Sequence, residues 1–402
     1  MFGLSLIVSG CKSATPGDRS GERSGEAPSS EPSGEISRAA LDESLALGID
    51  FLINNQRPAG NFNYEYDWRK KQQSEGDSQV RQAGAAWGLA LIYEDSPSAR
   101  VGEPLRKAAG FFALNSRERD GRRFIAYPGE KKGSTGTVAL VTLALIEILR
   151  TEGRPQCEMP TPAMSVFREQ LGQYLSFLVS ARDESGMFHA SYDLETGTPK
   201  GKHSPYFDGE SLLALVKAAK YLGRADLWPI ILESADRGWQ VNVVEARKQD
   251  DDSKITKGYY QWSSMAYFEI ATSDQPNVER FGDRVIELAD WMIDVHRTLR
   301  RTRNTAYAYE GIIHAYEIAK RRGDKAHEEK FAKVIQEGMT KLTSWQLGSS
   351  IGNGYVAEHD PEDKFARGGV QNHAKQAPLR IDVTQHQMHA VILARRYVYP
   401  AA

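Results

Sequence analysis

The chain has 402 residues, a formal net charge of −2, 40% hydrophobic and 26% charged residues, the balance of a globular protein with enough length for one large domain or two small ones. A near-neutral chain whose short basic runs (Arg122-Arg123, Lys131-Lys132, Arg300-Arg301) are interleaved with acids is a poor fit to a nucleic-acid partner. The two cysteines, Cys11 and Cys157, exclude a disulfide framework, and no Cys/His spacing suggests a zinc site; neither a metal nor a cofactor is expected.

Residues 1–10 read as a signal peptide. Leu4-Ser-Leu-Ile-Val8 and Ser9-Gly10 precede Cys11, and this run resembles the lipobox of bacterial lipoproteins, which implies lipidation at Cys11. The departure is the missing basic start, since Met1-Phe2-Gly3 carries no Lys or Arg. Residues 11–37 are rich in Ser, Gly, Pro and Glu and hold too little apolar surface to form a core, so they read as a disordered tether. A coil of about 26 residues reaches roughly 28 Å, enough to hold a domain just off a membrane. The membrane is then met through the lipid alone, because the longest mostly apolar run, 138–149, falls short of a span.

From residue 38 about twelve helices are predicted: 38–54, 78–94, 101–115, 135–151, 164–181, 208–222, 225–239, 259–272, 277–296, 303–322, 325–346 and 381–397. The odd-numbered ones are amphipathic, as in Phe167, Leu171, Tyr174 and Leu178. Several even-numbered ones are apolar or small nearly all round, as in Ala83 to Leu91, Val138 to Ile146 and Leu212 to Val216. A helix without a polar face is buried on most sides. Exposed and buried helices that alternate, with no convincing strands between them, predict an all-α double ring over 38–402: an (α/α)6 barrel, or toroid, of six helical hairpins.

The segments Gln56 to Phe62, Val80 to Gly84, Phe207 to Leu215, Arg303-Asn304 and Arg380 to His386 together resemble the six-hairpin glycosidase-like and terpenoid-cyclase-like toroids, among them bacterial lipoproteins of poorly characterised function. The resemblance is one of fold, and function has to be argued from the site.

In such a ring the starts of the six inner helices meet at one mouth, and polar clusters sit there. The last helix opens with Arg380, Asp382 and His386, the latter two on one face at i and i+4. Asp382 is equally a helix cap and His386 a satisfied core histidine. Asp208 and Glu210 open another inner helix, where acids are also favoured by the dipole. Asp208, Glu210, Asp382 and His386 are the candidate catalytic groups, with Glu65 and Asp67 as further carboxylates.

Arg81, Tyr206, Tyr260, Trp262, Asn304, Arg380, His373 and Tyr66 are the candidate binding residues, since aromatic faces stack on sugar rings while amides and guanidiniums bind hydroxyls or uronate carboxylates. Tyr260 and Trp262 also fit a plain toroid core. Arg81 and Arg380 each require an acidic partner or an anionic ligand, and Asp250-Asp251-Asp252 reads as a solvated loop.

The expectation is an envelope-tethered, carbohydrate-active protein, acting on a glycan or uronate polymer as hydrolase, lyase or epimerase. A carboxyl pair across the mouth would favour hydrolysis; Tyr and His facing Arg would favour the others. The alternatives are a non-catalytic glycan-binding or envelope-assembly lipoprotein and a terpene-cyclase-like or prenyltransferase-like enzyme. The last lacks its acidic motif and zinc ligands.

Overall fold

A computed structural model describes residues 32–401. Within them lie twelve long helices: α1 (Arg38–Asn54), α2 (Gln79–Asp95), α3 (Ala99–Leu114), α4 (Thr135–Leu149), α5 (Thr161–Ser180), α6 (Pro205–Tyr221), α7 (Trp228–Trp239), α8 (Lys254–Ala271), α9 (Glu279–Asp290), α10 (Ala306–Arg322), α11 (Lys325–Thr343) and α12 (Ile381–Tyr397). Helix α7 runs on through a π-helical segment, Gln240–Glu245, and a last turn, Ala246–Gln249, while α9 runs on through a second π segment, Trp291–Val295.

The even-numbered helices pack side by side into a closed inner ring, α2-α4-α6-α8-α10-α12 and back to α2, with the odd-numbered ones outside. The toroid expected from the alternation of amphipathic and all-apolar helices is the fold found. The physical reason is visible in α4, every residue of which is buried, against α3, α9 and α11, which bury one stripe each. The ring closes where α2 is thinnest: Gly84 and Gly88 face Gln385 of α12, and a Cβ at Gly88 would overlap that side chain. Next to them Trp87 is fully buried between Trp262 and His389, a core position where truncation to Ala would cost about 3–5 kcal/mol.

Helix starts and ends follow local chemistry. Ser37 caps α1 through Ala40 N, Asp324 caps α11 through His327 N, and Gly323 ends α10 at a φ of 70°, where a side chain would be strained.

Eight short strands, not expected from the sequence, decorate the helix starts. β1 (Glu65–Asp67), β2 (Gln72–Gln73) and β8 (Pro378–Arg380) form one antiparallel sheet in which Tyr66 opposes Leu379, joining the first hairpin to the last. β3 (Ser116–Arg119) pairs with β4 (Arg122–Ile125), and β5 (Gly133–Ser134), β6 (His189–Tyr192) and β7 (Pro199–His203) form the third sheet. Two to five residues per strand are too few for a periodic signal.

The segment read as tether up to residue 37 joins the folded unit before its end. Ser33 N donates to Gly352 O, Ile36 is buried, and its N–H donates to Thr340 Oγ1. Cys11 and the rest of the tether lie outside the described residues. Cys157 is a half-buried free thiol near Tyr93 Oη, and no described helix is long and apolar enough to cross a membrane.

Candidate functional site

A cavity of about 610 Å³ opens at the inner-helix starts. Its wall is built from Arg81 of α2, Tyr206 of α6, Lys257 and Gln261 of α8, His296 after the second π segment, the loop Arg301 to Thr305, Tyr307 of α10, Asn372, and Arg380, Asp382, Val383 and His386 of α12. Helix α4 contributes nothing, because the β5-β6-β7 sheet roofs its start and Thr135 donates to His189 O.

Asp382 is held from two sides. Arg380 donates to it through Nε at 2.9 Å and Nη2 at 2.5 Å, and Arg81 lies at 3.2 Å. Burial alone would raise its pKa, but the two guanidiniums hold it below the ordinary value. It therefore serves as the counter-ion of both arginines, which answers the demand for an acidic partner.

His386 Nδ1 lies 3.0 Å from Gln261 Nε2 and 3.3 Å from Glu310 Oε1. Glu310 is fully buried and also takes a hydrogen bond from His389 Nδ1 at 2.8 Å. Burial opposes a charge on His386, yet Glu310 outweighs it and the imidazole pKa is raised. Nε2 of His386 makes no hydrogen bond among the described residues and is the atom left for a ligand. Trp262 backs this ring at 6.0 Å without lining the cavity.

The wall carries Arg81, Lys257, Arg301, Arg303 and Arg380 against one carboxylate, Asp382. Lys257 and Arg303 form no ion pair among the described residues. Burial, with Arg301 and Arg303 nearby, depresses the Lys257 pKa, and its ammonium sits 5.5 Å from the centre of the Tyr307 ring.

Of the residues chosen from the sequence, Arg81, Tyr206, Asn304, Arg380, Asp382 and His386 share this cavity. Asn304 spends its amide on the fold, accepting from Ala306 N at 2.8 Å and donating to Gln371 O. His373 stands just behind the wall, paired to Arg303 by a β-bridge.

Six others do not line the cavity. Asp208 is buried and accepts from Phe188 N and Asn242 Nδ2, bracing loop to outer helix, with burial pushing its pKa up to about 6. Glu210 is buried against Gly136, its Oε2 without a partner, and burial raises its pKa well above the usual range. Tyr260 donates to Ala308 O inside the core, and Tyr66 donates to Asp363 Oδ2 under the β1-β8 sheet. Glu65 is half-buried opposite Arg380 on β1, and Asp67 caps the turn at Arg69 and Lys70.

Nothing in the sequence pattern marks Lys257, His296 or Glu310 as site residues. Helix α8 starts at Lys254, one turn earlier than the periodicity suggested, and this brings Lys257 onto the mouth. His296 was read as the end of an outer helix; the π segment and the left-handed Arg297 (φ 56°) turn it inward. Asp250 to Asp252 form the exposed loop expected, and from it Asp252 also reaches His296 Nδ1 at 2.6 Å and Arg301 at 3.0 Å. Among the described residues no cluster of three His, Cys, Asp or Glu side chains is arranged to hold a metal ion.

No family model and no curated protein matches the chain. Solved structures do match it over nearly their whole length. A sugar epimerase from a ruminal bacterium superposes with a TM-score of 0.62 at 11% identity, covering 89% of this chain and 98% of its own. Cellobiose 2-epimerase from Bacillus thermoamylovorans gives 0.61 at 10% identity over 89% and 99%, and a GH76 alpha-mannanase of Bacteroides thetaiotaomicron gives 0.57 at 9% over 90% and 95%. At such identities the likeness is one of fold, and the chain has the six-hairpin glycosidase-like (α/α)6 toroid fold that these carbohydrate-active proteins share.

Proposed function

We propose that the mouth takes an acidic carbohydrate, a uronate in a glycan or polymer, and that His386 transfers a proton to it in an elimination or epimerisation. The observation carrying this reading is the composition of the wall: five cationic side chains, of which Arg81 and Arg380 are paired to Asp382 and Arg301 to Asp252, while Lys257 and Arg303 have no carboxylate among the described residues. Hydrolysis of a glycosidic bond needs two carboxyl groups flanking it, one able to hold a proton. Asp208 and Glu210, the other acids at an inner-helix start, are buried away from the wall.

In the proposed reaction the arginines and Lys257 neutralise the sugar carboxylate, which lowers the cost of removing the proton on the adjacent carbon. His386, whose pKa Glu310 raises against the effect of burial, delivers a proton through Nε2. Neighbours whose names include an epimerase and a D-mannose isomerase are compatible with proton-transfer chemistry in this fold. The test is digestion of uronate-rich polysaccharides by the purified 32–402 fragment, which keeps Ser33, Ile36 and the Ser37 cap, read by absorbance of a new conjugated double bond and by NMR of ring configuration. Neither product forming with any acidic glycan, while neutral glycans are cleaved, would contradict the reading.

Attachment through Cys11 is part of the same proposal, supported by the lipobox-like run before it. With an upstream basic start supplied, wild type is expected in the membrane fraction and Cys11→Ser in the soluble one. Equal partition of the two would remove the anchor.

A further inference from the structure

We propose that Tyr307, coupled through His296 to Asp252, is the base that works opposite His386; the inference rests on the proton-transfer reading above. Tyr307 lines the cavity, and its hydroxyl lies 3.4 Å from His296 Nε2. On the far side of that ring Nδ1 lies 2.6 Å from Asp252 Oδ1. Arg301 Nη2 also approaches Nδ1, at 3.1 Å, but it donates to Asp252 Oδ2 at 3.0 Å. The shorter contact to a carboxylate fixes the proton on Nδ1, so Nε2 presents its lone pair to the Tyr307 O–H.

The ring itself is locked. Trp291 stacks on it at 5.4 Å and 21°, and the backbone that delivers it combines a π segment with the left-handed, non-glycine Arg297. Both features are uncommon and concentrate where a side chain has to be aimed. Tyr307 is also tied to His386, because Glu310, which holds His386, is one turn further along α10.

The groups facing His296 are Asp252, Arg301, Lys257 and Tyr307. Burial leads in depressing its pKa and Arg301 and Lys257 add to this, while Asp252 pulls the other way. The two histidines at the mouth are thus displaced in opposite senses, His296 toward neutral and His386 toward charged, the separation expected of a base side and an acid side. Burial also raises the Tyr307 phenol, so Tyr307 rests protonated, and in the proposed step its proton passes to His296 only as the substrate proton arrives. Lys257 over the ring favours the negative charge developing on the oxygen.

The step balances as follows. The Tyr307 proton passes to His296 Nε2, giving an imidazolium held by Asp252, and Tyr307 Oη takes the proton from the carbon next to the uronate carboxylate. That C–H pair forms the new C=C bond, the C–O bond to the leaving sugar breaks, and its oxygen takes the proton of His386 Nε2. His296 then releases a proton to water and His386 regains one.

The experiment follows deuterium entry from D2O into glucuronate-containing oligosaccharides, beside turnover, in wild type and three variants. Tyr307→Phe should lose both exchange and turnover by about 100-fold or more. His386→Gln should lose turnover and keep exchange. For the positioning pair, Asp252→Asn should move the acid limb of kcat/KM to lower pH, because Asp252 raises the His296 pKa. Exchange in wild type that survives Tyr307→Phe, or an acid limb unmoved by Asp252→Asn, overturns the inference and leaves the proton-transfer reading standing. Absence of both exchange and turnover in wild type, with neutral glycans hydrolysed, overturns the two together.

Discussion

The two ends of the barrel carry similar numbers of charges and use them differently. At the floor, where the inner helices end, Glu94, Glu147 and Glu269 meet Arg150, Arg154, Lys217, Lys220 and Arg396, and the cavity that Glu94, Arg150, Lys217, Glu269 and Arg396 line inside the ring is only about 60 Å³. Arg154 reaches Glu94 at 2.8 Å and Lys220 reaches Glu269 at 2.8 Å. At the mouth a cavity of about 610 Å³ is left open, and Lys257 and Arg303 have no carboxylate of their own among the described residues. Paired charges in a closed space hold helix ends together. Unpaired charges around an open one cost stability and are compensated when an anion binds.

That contrast is broken or sharpened by substitutions at each end. The largest effect is expected from His386→Gln, which should reduce turnover of an acidic glycan about 10²- to 10⁴-fold, with the melting temperature shifted little. Next comes the floor: Glu147→Gln removes the fully buried carboxylate that Lys217 and Arg150 share, leaving Lys217 only Glu269 at 3.9 Å and Arg150 only Glu94 at 3.3 Å. Thermal or urea unfolding should show a loss of about 1–3 kcal/mol, and a mouth variant with a comparable loss would contradict the distinction. A third, smaller effect has the opposite sign. Lys257→Met should weaken binding of an acidic sugar about tenfold yet leave the protein as stable or more so, measured by calorimetry and melting on the same samples.

The ends should also differ in pH. Burial favours protonation of Glu94 and Glu269, but their cations hold both at about 2. Their folded pKa values thus lie below the unfolded ones, so their stabilisation is full above about 4.5 and is lost as pH falls toward about 2. His386 is raised instead, so its contribution is full below about 6.5 and fades as pH rises through its folded value. Acid should melt the floor, while mild base should weaken anion binding at the mouth. A ligand affinity that rises with pH would contradict the assignment of a cationic His386.

The ring was legible because burial on all sides leaves a composition that side chains alone betray, as in Val138 to Ile146. The α12 cluster was legible for a related reason: Arg380, Asp382 and His386 are polar groups ahead of an apolar helix, and spacing puts two of them on one face. What spacing does not carry is partner choice between helices. Glu210 and Asp382 look alike in the chain, but one meets Gly136 and the other two arginines. His296 and Asp252 depend on a π segment and a left-handed residue, which have no period to read.

The most direct test of the central claim, that the mouth binds an acidic carbohydrate through cations the fold leaves unpaired, is a calorimetric titration of wild type and Lys257→Met with one glucuronate-containing oligosaccharide and its carboxyl-reduced counterpart. The account predicts binding of the acidic form by wild type, about tenfold weaker binding by Lys257→Met, and little binding of the neutral form by either. Equal affinity for the two sugars, or an affinity for the acid unchanged by Lys257→Met, would contradict it.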